Sequence, residues 1–448
     1  MHLSPLSALE TISEETVTWT IPACHEFRFE VEFDSRVEIE VKSGTAEIFG
    51  TELAIGPIYT FSGVKLALFS WRGCIIDVKG ALSVHYLAEE TPMLAYMNMH
   101  FAIEKLRIDA TENDEDGPRV LLVGPEDSGK TTLLRILSGY ALKQKRTPIL
   151  VNLDTREDIG SIPGSVSVTS ISGILDVENM FGSTLTTGPS QYPSLVTLSY
   201  YYGYDLPTQN FKFYKSLISR LSILCASKMS ETKEKGVARY SGCIIDTSGI
   251  IDQSKGYDII HNIISDFSVN VLIVLGSERL YSDMTRKYDN KNGVHVVKLQ
   301  KSGGCVTREA PFIQKVQHSA IRKYFYGDFR NALSPHSIIC DFDSLIVYKI
   351  EEETFTHSSA LPIGHDTPLQ RPKMIKIDAF SILQNSVLAV SHANANDPVD
   401  VILESPVAGY IYVSDVDDNK KTLTILSPLP GKLPSQILIM GSFKWQDL

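Results

Sequence analysis

The chain has 448 residues, more than one hydrophobic core normally organises, so two or three domains are expected. Its 43% hydrophobic and 21% charged side chains are those of an ordinary soluble protein. A formal net charge of -11 argues against a protein that coats nucleic acid, although a local basic cleft for an RNA end stays compatible with it. No run approaches the ~18 apolar residues of a membrane span, so no membrane contact is expected. The six cysteines, at 24, 74, 225, 243, 305 and 340, include no C-x-x-C pair and no cluster with histidine. Free thiols in a reducing compartment are expected, and zinc is not. The opening stretch MHLSPLSALETISEETVTW lacks a basic region followed by an apolar core, which points to the cytosol or nucleus. No lysine and arginine run marks nuclear import, so a nuclear address would come from a partner.

In chain order, FRFEVEFDSRVEIEV comes first, where Phe27, Phe29, Val31 and Phe33 alternate with polar residues and Val37, Ile39 and Val41 resume after the turn at DSR. Period-two alternation of this kind predicts a half-buried antiparallel hairpin. The segments AEIFG, PIYTFSG, KLALFSW, CIIDVKG and ALSVHYL, separated by glycine-bearing turns, extend this to a small all-β domain over residues 1–95. MLAYMNMHFAIEKLRIDA predicts a helix, and TENDEDG after it has the composition of an exposed loop.

Beyond that loop, strands alternate with helices. RVLLVG, PILVNLD, SLVTLSYYYG, GCIIDTS, VNVLIVLG and GVHVVKL are the strand candidates, with KFYKSLISRLSILCASK and GYDIIHNIISDF as helices between them. The alternation predicts an α/β domain over 96–329 with a parallel sheet covered on both faces. From 330 to 448 β patterning returns in SLIVYKI, MIKIDAF, SVLAVSH, DVILES, AGYIYVSDVD, TLTILSP and QILIM, which predicts a sandwich or barrel.

RVLLVGPEDSGKTTLLR carries the most specific signal. Gly124, Gly129, Lys130 and Thr131 satisfy G-x-x-x-x-G-K-S/T between a strand and a helix. Glycines let successive backbone N–H groups turn inward around a phosphate, and the helix N-terminus adds partial positive charge. Lys130 would reach the β and γ phosphates and Thr131 would ligate Mg²⁺, with Asp127, Ser128 and Thr132 lining the cradle. The guanine-reading N-K-x-D element is absent, since Asn290-Lys291-Asn292-Gly293 lacks the aspartate. Lys301-Ser302-Gly303-Gly304 is a poor version of the ABC signature, so ATP is the expected nucleotide. Asp154 and Asp246 end apolar strands beside the loop. Each is a candidate to hold Mg²⁺ through water, and Asp154 to accept a proton from an attacking hydroxyl; either could instead cap the element that follows.

Together with AEIFGTEL (46–53), SIPG (161–164), KSGG, IRKYFYG ending at Gly327, ALSPHS (332–337), SPVAGYIYVSDVD and LPGKLPS, this loop resembles the polyribonucleotide 5′-hydroxyl-kinase family. Within it the chain is most similar to the branch that serves the pre-mRNA cleavage and polyadenylation machinery, called cleavage factor IA in fungi. The resemblance spans nearly the whole chain. It implies an N-terminal β domain folded over adenine, a central P-loop kinase-like domain, a C-terminal β domain and a nuclear protein. It implies that Glu26 and Lys65 contact the base, and that the partners are the large scaffold subunit that reads the polymerase tail, docking on the central domain, and other subunits of the complex, with RNA contacted weakly or indirectly.

The same resemblance implies lost catalysis. The aspartate matching Asp154 is followed in the family by a glutamine three residues on, where this chain has Glu157, a carboxylate that repels phosphate. The aromatic of the T-x-G-aromatic element, which stacks on substrate RNA at roughly 1 to 3 kcal/mol per base, is Ile250 here. In the lid Arg308 remains, but the positions of further arginines carry Phe312-Ile313-Gln314-Lys315-Val316-Gln317. The expected protein retains ATP without transferring its phosphate, with an active RNA 5′-hydroxyl kinase using Asp154 and Arg308 as the alternative.

Overall fold

The computed structural model describes residues 15–157, 159–178, 195–231, 237–249, 255–288, 293–328, 332–351, 374–377 and 380–446. Ile250 and Asn290-Lys291-Asn292 lie outside them.

Two antiparallel sheets make the N-terminal part. One runs Thr16–Ile21, Cys74–Lys79, Val37–Gly44, Ile58–Phe61, and the other Thr51–Leu53, Ala46–Ile48, Val64–Ser70, His25–Val31, Val84–Ala88. The hairpin expected across DSR does not form. His25–Val31 pairs with Val64–Ser70 and Val84–Ala88, whereas Val37–Gly44 pairs with Ile58–Phe61 and Cys74–Lys79. The turn carries the chain from one sheet to the other, so Phe27, Phe29 and Val31 meet Val37, Ile39 and Val41 within one sandwich core. Alternation specifies a face, and here both faces turn toward the same core from opposite sides.

The helix Met93–Asn113 joins this sandwich to a central seven-stranded sheet. Its order is Leu195–Tyr201, Ser165–Ile171, Ile149–Asn152, Cys243–Asp246, Arg119–Val123, Val271–Leu275, His295–Leu299. The last five are mutually parallel; Ser165–Ile171 runs antiparallel to Ile149–Asn152 and to Leu195–Tyr201, so the sheet is mixed rather than wholly parallel. SVSVTSI was not among the expected strands because its hydroxyls resemble a loop. They are satisfied inside: Ser167 Oγ donates to the Ile159 carbonyl at 2.7 Å, and Ser165 Oγ lies 2.6 Å from Tyr410 Oη.

The C-terminal strands form one sheet in the order His336–Asp341, Thr422–Ser427, Val407–Asp417, Ser386–Ser391, Ile437–Lys444, Ile346–Ile350, Met374–Lys376. Among the described residues it is not split into the two sheets of a sandwich. DVILES, expected as a strand, forms the short helix Val399–Leu403 after Pro398, burying Ile402 and Leu403. Pro398 stands at the N-cap, where its carbonyl accepts from the Val401 and Ile402 N–H groups at 2.9 and 3.1 Å and starts the helix.

Alternate residues of this sheet serve two cores. Val387, Ala389, Tyr410, Tyr412, Ile437 and Ile439 join the core of the central domain, while Leu388, Val390, Ile411, Val413, Leu438 and Met440 pack on the other side. Burial on both faces explains why these strands are continuous apolar runs. The Tyr410 N–H donates to Tyr324 Oη at 2.9 Å, and the Phe325 and Trp445 rings stack at 5.8 Å. The C-terminal sheet is thereby fused to the helix Ala310–Tyr326, the helix that reaches back over the P-loop.

Candidate functional site

Arg119–Val123 is wholly enclosed between Cys243–Asp246 and Val271–Leu275, and the chain leaves its C-terminal end through Gly124–Gly129 into the helix Lys130–Lys143. This is the crevice at the carboxyl ends of parallel strands where ligands sit in open α/β sheets. Gly129 caps the helix at φ 89°, a left-handed conformation natural to glycine, and Asp127 also has φ 53°.

Lys130 is buried, and its Nζ donates to the Pro125 carbonyl at 2.8 Å, using one of its three donors. Ser128 is fully buried, and its Oγ has no hydrogen-bond partner among the described residues. A buried hydroxyl without an acceptor, a buried ammonium and a helix N-terminus together suit an anion with several oxygens. The residues fit a nucleotide triphosphate tail.

Thr131 Oγ1 donates to Asp246 Oδ2 at 2.6 Å. Asp246 is fully buried at the end of its strand, opposite Asn152, and Asp154 lies two residues beyond that neighbour. A hydroxyl of the P-loop beside a strand-end aspartate is the pair that holds Mg²⁺ in P-loop proteins. Among the described residues no cluster of three or more His, Cys, Asp or Glu could hold a metal unaided.

Burial pushes the Asp246 carboxyl up to about 7, with Asp154 adding repulsion and Lys130 opposing. Asp154 is raised as well, by burial and then by Glu157. A folded-state value above the ordinary ~4 favours folding fully below that range, and the contribution is lost as pH rises through about 7. Nucleotide-free protein is therefore expected to melt at progressively lower temperature between pH 5 and pH 8. Melting curves should show that slope flattened in Asp246→Asn; an equally steep variant would mean that other groups set it.

A cavity of about 300 Å³ extends from this cradle to the N-terminal sandwich. Glu26, Lys65, Asp127, Ser128, Gly129, Lys130, Thr131, Thr132, Asp154, Glu157 and Arg308 all line it, and Asp246 lies beneath it through Thr131. Glu26 is buried, with one carboxylate oxygen accepting from Arg28 Nε at 2.7 Å and the other from the Thr91 hydroxyl. Lys65 Nζ donates to Glu30 Oε2 at 2.6 Å and lies 5.0 Å from the Phe312 ring centroid.

Glu157 plays a different part from the one its charge suggested. It accepts from Arg308 Nη1 at 2.9 Å, while Arg308 Nε and backbone N–H donate to the two oxygens of Asp127 at 2.7 and 2.8 Å. Burial works against the Arg308 charge, but the two carboxylates outweigh it and raise its pKa. The remaining lid residues point to closure. The Phe312 ring meets Phe33 at 5.4 Å, Lys315 Nζ lies 5.8 Å from the Phe33 ring, and Gln317 Nε2 donates to Asp205 Oδ1 at 2.8 Å. Asp205 also accepts from Arg156 Nε at 2.9 Å, and Arg156 Nη1 reaches Glu126 at 3.1 Å.

Sequence reasoning missed Arg28, Thr91, Phe33 and Arg156. Arg28 had a usable signal, because it stands two residues from Glu26 on one strand and so shares its face. The aromatic contact did not, since Phe33 and Phe312 are far apart in sequence.

Three family descriptions match in succession: an N-terminal beta-sandwich domain of polyadenylation factor at residues 20–110, the mRNA cleavage and polyadenylation factor CLP1 P-loop at 124–327, and the pre-mRNA cleavage complex II protein Clp1 at 333–447. The chain is 43% identical over 429 residues to the mRNA cleavage and polyadenylation factor clp1 of Botryotinia fuckeliana, covering 94% of this chain and 92% of that one. To CLP1 of Phaeosphaeria nodorum it is 43% identical over 453 residues, covering 98% and 95%. A wild-type Clp1p–Pcf11p complex superposes with TM-score 0.87 at 28% identity, covering 97% of this chain and 99% of that one. A second Clp1p–Pcf11p structure, which concerns their extended interface and the loss of ATP in a glycine-to-arginine mutant, superposes with TM-score 0.85. With its sandwich, P-loop domain and C-terminal sheet all matched in order, the chain belongs to the CLP1 family of mRNA cleavage and polyadenylation factors.

Proposed function

We propose that this chain is the ATP-binding subunit of the pre-mRNA 3′-end cleavage and polyadenylation complex, acting in the nucleus as a bridge that bound ATP braces. Lys130, Ser128, Gly129 and Thr132 hold the phosphates in a cradle that Asp127 lines, and Glu26 and Lys65 meet adenine. Thr131, with Asp246, carries Mg²⁺, which neutralises phosphate charge when bound. The nucleotide thus joins the N-terminal sandwich to the P-loop domain and stabilises the arrangement by mass action. Its partner is the large scaffold subunit that reads the polymerase tail, a reading supported by two structural neighbours being complexes with Pcf11p.

The observation that carries catalytic silence is Arg308. Its guanidinium is committed to Asp127 and Glu157, and Phe312, Lys315 and Gln317 face Phe33 and Asp205. A forked donor that accelerates phosphoryl transfer must be able to meet the transferring group. Asp154 keeps the kinase alternative alive, because it lines the cavity beside Lys130.

Incubation with 5′-hydroxyl RNA and γ-labelled ATP distinguishes the two. The expected result is stoichiometric ATP that survives prolonged dialysis, with label in neither RNA nor free phosphate. Label in RNA would establish the kinase, and released phosphate an ATPase switch; either would end the purely structural role.

A further inference from the structure

The loop Lys301-Ser302-Gly303-Gly304 matches no catalytic signature, yet it lies against the base end of the cavity. A Cβ on Gly304 would stand 2.8 Å from Arg28 Nε, 3.1 Å from its Cδ and 3.2 Å from its Cζ, and one on Gly303 3.5 Å from Nη1. The turn is pinned by the Gly304 N–H donating to Ser302 Oγ at 3.1 Å, and by the Gln300 carbonyl accepting from Tyr96 Oη at 3.0 Å. On this flat platform the Arg28 side chain is buried; its Nη2 donates to the Glu90 carbonyl at 2.8 Å and its Cζ lies 5.8 Å from the Tyr86 ring centroid. Its Nε holds one oxygen of Glu26, and Thr91 holds the other.

We propose that Arg28, seated on the Lys301–Gly304 loop, is a positioning residue that makes Glu26 select adenine over guanine. This rests on the reading that Glu26 meets the base. Adenine offers a carboxylate its exocyclic amino group, one donor position beside the ring acceptor N1. Guanine offers two adjacent donors, N1–H and the exocyclic amino group, which a freely turning carboxylate grips with both oxygens. With one donor on each oxygen of Glu26, one lone pair per oxygen remains and the carboxylate plane cannot turn; a plane fixed in this way suits the single donor and hinders the square alignment of both oxygens that the paired grip needs. Freed from Arg28, the carboxylate turns and the discrimination shrinks.

The same segment continues to the phosphate end. Cys305 Sγ stands 2.8 Å from where a Cβ on Gly129 would be, and Arg308 clamps Asp127. A loop without a side chain at 304 is thus required where one strap spans base and phosphates.

Titration of nucleotide-free full-length protein with ATP, GTP and inorganic tripolyphosphate tests this in wild type, Arg28→Met, Arg28→Lys and Gly304→Ala. The ATP-to-GTP affinity ratio is expected to fall at least about tenfold in Arg28→Met and Gly304→Ala, the equivalent of ~1.4 kcal/mol, and to recover partly in Arg28→Lys. Tripolyphosphate affinity should stay unchanged in all. Equal losses for ATP and GTP, or an unchanged ratio in both variants, would overturn the positioning role. Wild type that binds tripolyphosphate but prefers neither nucleotide would overturn the base reading itself, and wild type that binds none of the three would overturn the nucleotide reading.

Discussion

Replacing Lys130 and Thr131 together by alanine is expected to lower ATP affinity by roughly 10² to 10⁴, from two charge-assisted contacts each worth roughly 1.5 to 3 kcal/mol. Lys130 is buried and bound to the loop carbonyl of Pro125, and Thr131 is the side chain that reaches Asp246. Removing both takes the Thr131 donor from Asp246 and the opposing Lys130 charge from Asp246 and Asp154, so the empty variant should also melt below empty wild type. ATP co-purification and melting curves with and without Mg–ATP measure both effects. Saturating ligand raises wild-type stability by about 2.7 kcal/mol at one hundred times Kd, and the double variant should show no such gain. Capture of the polymerase-tail-reading scaffold subunit should weaken in parallel. Full capture by nucleotide-free protein would mean that ATP does not brace the assembly surface.

A comparably large effect is expected far from the nucleotide, at Gly441. On the strand Ile437–Lys444 a Cβ at this position would stand 2.3 Å from the Gly203 carbonyl oxygen and 2.5 Å from its Cα, backbone atoms that cannot swing aside. Beside it the Ser442 N–H donates to the same Gly203 oxygen at 2.7 Å. Gly441→Val must therefore part the C-terminal sheet from the central domain, at a cost near the upper end of the roughly 1 to 3 kcal/mol of overpacking. Denaturant unfolding should show a lower midpoint, and limited proteolysis should release a C-terminal fragment that wild type protects. An unchanged midpoint would mean that the strand shifts without loosening the junction.

The cradle was legible because its chemistry is local. Gly124 to Thr132 are contiguous, and the strand before and helix after them follow from short-range pattern. The six expected central strands form for the same reason. Where expectation failed, a distant partner decided the outcome. SVSVTSI became a strand because Tyr410 and the Ile159 carbonyl satisfy its hydroxyls. The DSR turn joined two sheets because Val37–Gly44 found better partners in Ile58–Phe61 and Cys74–Lys79.

The site divides along the same line. Glu157 looked like a repulsive carboxylate in isolation, and only the return of the chain at Arg308 gives it a partner. Arg28 shares a strand face with Glu26 in the sequence, but its seat against the glycine loop at 303 and 304 exists only in the fold. By itself, then, the sequence determined the phosphate loop, the order of β, α/β and β regions and the family, since each is written in neighbouring residues or in motifs kept in order. Only the tertiary structure decided which carboxylates face the cavity, which are already paired, and how the lid closes on Phe33, because ion pairs and ring contacts depend on separations in space that no local period encodes.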